Sequence, residues 1–203
     1  MRPSQIRLLS LAVAVTFAGW SPAAAHERPA TTPAARYLQE TVETAFDLAR
    51  SPVTAKSDEA LVSMIEGAMD WPGLTRFAVG RYRADLDGPG MDAVKARLAE
   101  RLSTLARNAG REWPRLSLAV HDLRIDAEGN RHILSTAIVP RFGEVEVEWT
   151  LLPVGGGHYR IADVGAFGLT LRQFLRGWVT SLIADRGGDP GAAFRPPSDP
   201  PPH

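Results

Sequence analysis

The sequence predicts an α+β domain, on three observations. Between residues 33 and 109 apolar side chains recur at helical spacing. Between 116 and 164 they alternate as strands do, and from 171 onward helical spacing returns. Helices segregated from a run of antiparallel strands make an α+β architecture. The expected arrangement is N-terminal helices, a four-stranded antiparallel meander and a C-terminal helix, which together enclose an apolar cavity.

Taken in order, a first helix is expected over 33–49, with Pro33 in its first turn and Leu38, Val42, Ala45, Phe46 and Ala49 inward. A second starts with Ser57 as N-cap and Asp58 and Glu59 opposing the helix dipole. Its apolar residues are Leu61, Val62, Ile65, Ala68 and Met69. Asp70 is expected to cap a short third helix through "WPGLTRFAVG", ending at Gly80. A fourth runs over 91–109 with Val94, Leu98, Leu102 and Leu105 on one face, and Gly110 is expected to stop it.

Strands follow. Leu116, Leu118 and Val120 alternate, then Leu123 and Ile125 resume out of phase, which predicts a bulge near His121–Asp122. Residues 133–139 form a second strand with apolar side chains on both faces. In "EVEVEWTLL", Val145, Val147, Trp149 and Leu151 alternate with Glu144, Glu146 and Glu148, so one face is buried and the other wet. "GGG" at 155–157 leads into the last strand, in which Tyr159, Ile161 and Asp163 are expected on one face and Arg160, Ala162 and Val164 on the other. The closing helix carries Leu171, Phe174, Leu175, Trp178, Leu182 and Ile183 in one broad stripe.

The ends of the chain read differently. Arg2 and Arg7 precede an apolar run over 8–18, and "SPAAA" supplies the small residues of a cleavage site, so 1–25 is expected to be a signal peptide cut after Ala25. The mature chain would be periplasmic, with its domain over 26–188. From Asp189 the proline-rich "DPGAAFRPPSDPPPH" is expected to be a disordered tail over 189–203. Cleavage removes two arginines and no acid, leaving 21 basic against 23 acidic side chains. Such a chain has no general electrostatic case for nucleic acid. Cysteine is absent, so no disulfide or thiolate chemistry is available.

Catalytic motifs are missing. The five histidines, at 26, 121, 132, 158 and 203, lack metal-ligand spacing, and there is no G-x-S-x-G elbow, H-E-x-x-H or P-loop lysine. A pair such as Asp163 with His121 could serve as an acid–base dyad, but no spacing singles it out. The glutamate row reads as a solvated strand face. What the chain has instead is large apolar side chains, Trp71, Trp113, Trp149 and Trp178 among them. They fit either an ordinary core or an apolar slot between helices and sheet.

Two segments carry a family resemblance. "FAVGRYRADLDGPG" (77–90) resembles the helix-ending "A-L-G-R-Y" segment of the MlaC, or toluene-tolerance, periplasmic lipid carriers. "YRIADVGAFGLTLRQFLRGWVTSLIADRGG" (159–188) resembles that family's C-terminal strand, turn and helix. The order of elements agrees over residues 37–188. Phe167 stands where the family commonly has an acid, Thr170 replaces a serine, and "RNAGREWP" lacks a tyrosine. The branch stays open, including one that accompanies hopanoid biosynthesis.

The resemblance implies a non-enzymatic carrier with no cofactor and phospholipid as cargo. It would exchange lipid between an outer-membrane lipoprotein complex and an inner-membrane ABC transporter bearing an MCE-domain subunit. The slot it implies would be walled by Phe77, Leu118, Val120, Ile138 and Val147, with Trp149, Val164, Leu171, Phe174 and Trp178. Phe174 and Trp178 would face Val147 and Trp149 across it. Arg81, Arg83 or Arg160 would meet the phosphate at the mouth. Burying about 30 methylenes from water is worth roughly 24 kcal/mol at about 0.8 kcal/mol each. The lipid leaves a bilayer in which its chains are already dry, so the slot must be as apolar as a membrane. A hopanoid-associated lipid binder and a small exported cavity enzyme remain as alternatives. The enzyme predicts a titratable pair deep in a compact pocket.

Overall fold

A computed structural model of the chain describes residues 32–112, 118–139 and 142–194, without the side chains of 121–123. The expected signal peptide with its cut after Ala25, Trp113, Leu116 and the tail from 195 lie outside the described residues.

Helix α1 is Pro33–Arg50. Thr32 caps it by accepting the Ala35 N–H at 3.2 Å, and Pro33 opens it, where its missing N–H leaves no bond unmade. Helix α2 is Ala55–Ala68. Its N-cap is Thr54 rather than Ser57, which sits three residues in and closes a reciprocal capping box. Helix α3 is Trp71–Val79, and a 3-10 turn, Gly80–Asp85, continues it past the expected end at Gly80. Asp70 occupies the N-cap position without a side-chain bond to the helix. Its N–H instead donates to the Ile161 carbonyl at 2.9 Å, tying the α2–α3 junction to the sheet.

Helix α4, Gly88–Glu112, passes through Gly110. That glycine does not stop the helix. It lets α4 pack closely on α1: a Cβ there would lie 2.9 Å from the backbone carbon of Ala49. Three residues earlier, the 7 %-exposed Arg107 binds the end of α1. Its Nη1 donates to the carbonyls of Leu48 (2.7 Å), Ala49 (3.2 Å) and Ser51 (3.0 Å). Its Nη2 reaches Ser57 Oγ (3.0 Å) and Asp58 Oδ1 (2.6 Å) at the start of α2. One side chain thus satisfies the orphan carbonyls of one helix and joins three helices.

The sheet runs β1 (Leu118–Ile125), β2 (Arg131–Val139), β3 (Gly143–Gly155), β4 (His158–Ala166) and β5 (Leu169–Thr170), all antiparallel and in sequence order. The expected four-strand meander therefore gains a two-residue fifth strand. The bulge expected in β1 falls between Val120 and Asp122. A second, between β3 and β4, pairs Thr150 with Asp163 but Leu151 with Ile161, so Ala162 is the extra residue. It breaks the simple alternation expected of β4 and brings Ile161 and Val164, three residues apart, to one cavity. At the β4–β5 turn Phe167 and Gly168 have φ of 54° and 74°. Phe167 thus holds a conformation that costs an L-residue with a Cβ about 1–2 kcal/mol.

On β2, Ile133, Ser135, Ala137 and Val139 are buried, while Ile138 is 54 % exposed on the other face. Ile138 is therefore no part of an internal slot: strand alternation turns it to water when its neighbours turn inward. The glutamates at 144, 146 and 148 are exposed, as a solvated face requires.

Helix α5 is Leu171–Ala184, capped by Thr170 and Gln173 in a second reciprocal box. Its fully buried residues, Leu175, Val179 and Ile183, join the main core with Leu38, Leu61, Leu74, Leu98, Ile133 and Leu151. The chain does not end its order at Gly188. Pro190–Phe194 form a short helix, α6, and Phe194 is buried in the same core. A buried aromatic anchors this part of the segment expected to be disordered, despite its proline content.

The β1–β2 turn is organised by Asp126. Its carboxylate accepts bonds from His132 Nε2 (2.9 Å), Asn130 Nδ2 (2.9 Å) and the N–H groups of Asn130 (2.8 Å) and Glu128 (3.1 Å). The His132 bond, with help from Asn130, holds this carboxyl well below the usual carboxylate range against an opposing desolvation. A carboxyl that binds its proton less readily when folded contributes stability above its unfolded pKa of about 4, and that contribution fades as pH falls. Asp126→Asn is expected to melt lower than wild type at pH 7 and to lose less on acidification from pH 5 to pH 2. Thermal melts across that range check this. Parallel curves would mean that the turn does not need the charge.

An apolar slot as the candidate functional site

Between α1, α2 and α4, over the inner face of the sheet, lies a cavity of about 370 Å3. Thr41, Val42, Ala45, Phe46 and Ala49 line it from α1. Met64, Ile65 and Ala68 line it from α2, with Met69 just beyond. Leu102, Leu105, Ala106 and Ala109 face it from α4, and Trp149, Ile161, Val164 and Leu171 close it from the sheet and the first residue of α5. The stretch of each helix that faces the cavity explains its half-buried residues. Val42, Phe46, Leu102 and Leu105 are neither core nor surface but walls.

The chemistry of the lining is uniform. No titratable side chain is among it, and the only lining residues with a polar N or O in the side chain are Thr41 and Trp149. Trp149 Nε1 is already committed, donating to Ser135 Oγ at 2.8 Å. That bond fixes the ring as a flat wall, and its polar edge needs no solvent. Such a cavity can hold hydrocarbon, and its lining carries no titratable side chain.

The structure brings some of the expected wall residues together and separates others. Trp149, Val164 and Leu171 line the slot. Phe174 and Trp178 do not, and so do not face Val147 and Trp149 across it. They pack half-buried against the main core, with Arg101 over both rings at 5.7 and 5.9 Å. Val147 belongs to a small second cluster with Ala137, Val139 and Val145. Leu118 and Val120 are half-buried against the main core, and Leu118 also touches that second cluster. Phe77 stands in a separate cleft among arginines. The stripe on α5 that suggested a slot wall is spent on α3 and the core. The walls that sequence reasoning missed are the helical ones, above all Met64, Leu105 and Ala106. The available signal was the width of the apolar stripe on α1, too broad for Ala35, Leu38 and Ala49 alone.

Of the pair considered for catalysis, the His121 side chain lies outside the described residues and Asp163 does not line the slot. Asp163 Oδ1 accepts the N–H groups of Val164 (3.0 Å) and Arg172 (3.1 Å), bracing the entry to α5. Of the three arginines expected at the mouth, Arg81 and Arg83 are exposed on the 3-10 turn and Arg160 lines a polar cleft with Glu66 and Lys95. None of them lines the slot. Among the described residues no group of three or more His, Asp or Glu is placed to hold a metal ion, and no helix is long and apolar enough to cross a membrane.

No family model and no curated protein matches the chain. Among solved structures it is similar to a phospholipid-binding protein from Ralstonia solanacearum, whose structure was determined in complex with a phospholipid. The likeness spans 82 % of this chain and 93 % of that one, with a TM-score of 0.61 and 17 % sequence identity. At that identity the likeness is one of fold, and the protein has the α+β fold of that phospholipid-binding protein.

Proposed function

We propose that the protein is an exported lipid carrier that holds a phospholipid by its acyl chains in the α1–α2–α4 slot. The observation that carries this reading is the lining: a cavity of about 370 Å3 with no titratable side chain on its walls. The phospholipid in the Ralstonia protein of the same fold supports it. A slot that receives lipid from a bilayer needs dryness more than grip, and chain-directed, headgroup-tolerant binding follows. In this reading the mature chain works in the periplasm. It passes lipid between an outer-membrane lipoprotein complex and an inner-membrane ABC transporter with an MCE-domain subunit, and it performs no chemistry on its cargo.

Native mass spectrometry of the mature protein purified from a periplasm, followed by lipid extraction, tests the proposal. A bound mass that resolves into diacyl phospholipids of mixed chain length is expected. A hopanoid in the extract would replace the cargo while keeping the carrier. Protein that is bare and takes up no lipid from vesicles would overturn the reading.

A further inference from the structure

Where α3 and α5 meet, a second cleft of about 470 Å3 is lined by Gly73, Arg76, Phe77, Gly80, Arg172 and Arg176. None of these residues lines the slot, although Leu171, next to Arg172, does. Three guanidinium groups share this cleft, and among the described residues none is in an ion pair with a carboxylate. Asp70 lies at the Gly73 rim, where a Cβ on Gly73 would strike its carboxylate, yet it pairs with none of the three.

Two of the three arginines, Arg172 and Arg176, are held in place, while Arg76 is exposed at the rim. Arg176 and Arg172 lie over the ring of Phe77 at 5.0 and 6.0 Å. Arg172 Nε donates to the Ala162 carbonyl at 3.0 Å, which fixes its plane and leaves both Nη groups uncommitted. Gly80, with φ of 51°, leaves the space that the Arg176 guanidinium occupies. A Cβ there would collide with its Nη2.

Three guanidinium groups with only the Asp70 carboxylate at the rim leave the cleft with a net positive charge that an anion would neutralise. A planar fork of N–H donors on each matches the several oxygens of a phosphate, which can accept from more than one arginine at once. We propose that this cleft is a phosphate-binding site, taking either free inorganic phosphate or the phosphate of an ester such as a lipid headgroup. It stands on its own residues and does not depend on what the slot carries.

The test uses Arg76→Gln/Arg176→Gln, both exposed positions, and keeps Arg172 because its Nε braces β4. Inorganic phosphate is titrated while the amide resonances of Gly73, Phe77 and Gly80 are followed. In parallel, protein is sedimented with phosphatidylglycerol vesicles. Amide shifts in wild type that need at least about tenfold more phosphate in the variant would establish the site for the free ion. No response to inorganic phosphate, but vesicle binding that falls about tenfold in the variant, would assign it to the lipid headgroup. Wild type and variant alike in both assays, or a wild type that responds to neither, would overturn the proposal. Lipid retained in the slot, read separately by native mass spectrometry, should be unchanged in the variant. Its loss from wild type would count against the carrier reading and not against this site.

Discussion

Leu105→Arg is expected to leave the protein folded and empty of lipid. Leu105 is half-buried on the slot face of α4, so its replacement removes little from the main core. A guanidinium in its place would face acyl chains, and no carboxylate lines the slot to pair with it. Holding an unpaired charge against hydrocarbon costs several kcal/mol, and each 1.4 kcal/mol is a factor of ten. Lipid occupancy after purification should therefore fall by on the order of a hundredfold. Leu105→Met, of similar volume and polarity, should retain it. Native mass spectra of the two variants beside wild type decide the matter. An arginine variant that melts normally and still carries the wild-type load would remove the slot from consideration. Trp149→Arg should also empty the slot, but it breaks the indole bond to Ser135 as well and is the less clean probe. Val147→Arg, by contrast, would strike the small second cluster and destabilise the sheet.

Arg107→Met should produce the largest loss of stability. Methionine keeps much of the buried stem but abandons the carbonyls of Leu48, Ala49 and Ser51 and the Asp58 carboxylate. Buried acceptors left without partners cost about 1–3 kcal/mol each where water cannot reach them. With partial solvation, the net loss should be about 3 kcal/mol. For a domain of this size that is a fall in Tm on the order of 10 °C. Asp58→Asn tests the division of labour. Asp58 has a half-exposed side chain, so removing its charge should cost no more than about 1 kcal/mol. Equal losses in the two variants would mean that the ion pair, and not the carbonyl brace, joins the helices.

The features that could be read from the chain are those written in local periodicity. The helical stripes, the bulge near His121, the Val145–Leu151 alternation and the solvated glutamates all follow from side-chain spacing. Features that depend on what stands opposite were not legible. Gly110 looks like a helix stop because glycine usually is one, and only the approach of Ala49 reveals its use. Arg107 is one arginine among many until the carbonyl ends of α1 are found around it. The α5 stripe was visible, but a stripe does not say what covers it. Phe174 and Trp178 were therefore assigned to a wall that α1 and α4 supply. Trp149, Val164 and Leu171 do line the cavity, because they sit on the inner sheet face or at the strand-to-helix corner.

The contact between Ala49 and Gly110 has a mechanical consequence. The two helices that flank the slot touch backbone to backbone at their C-terminal ends, and Arg107 locks that point to the start of α2. At that end the spacing is set by backbone against backbone, which no change of side-chain rotamer can narrow. The other end of α1 is held as well, because Ala34 and Leu38 are buried in the main core. The stretch of α1 that lines the slot is thus a beam supported at both ends and not a lever.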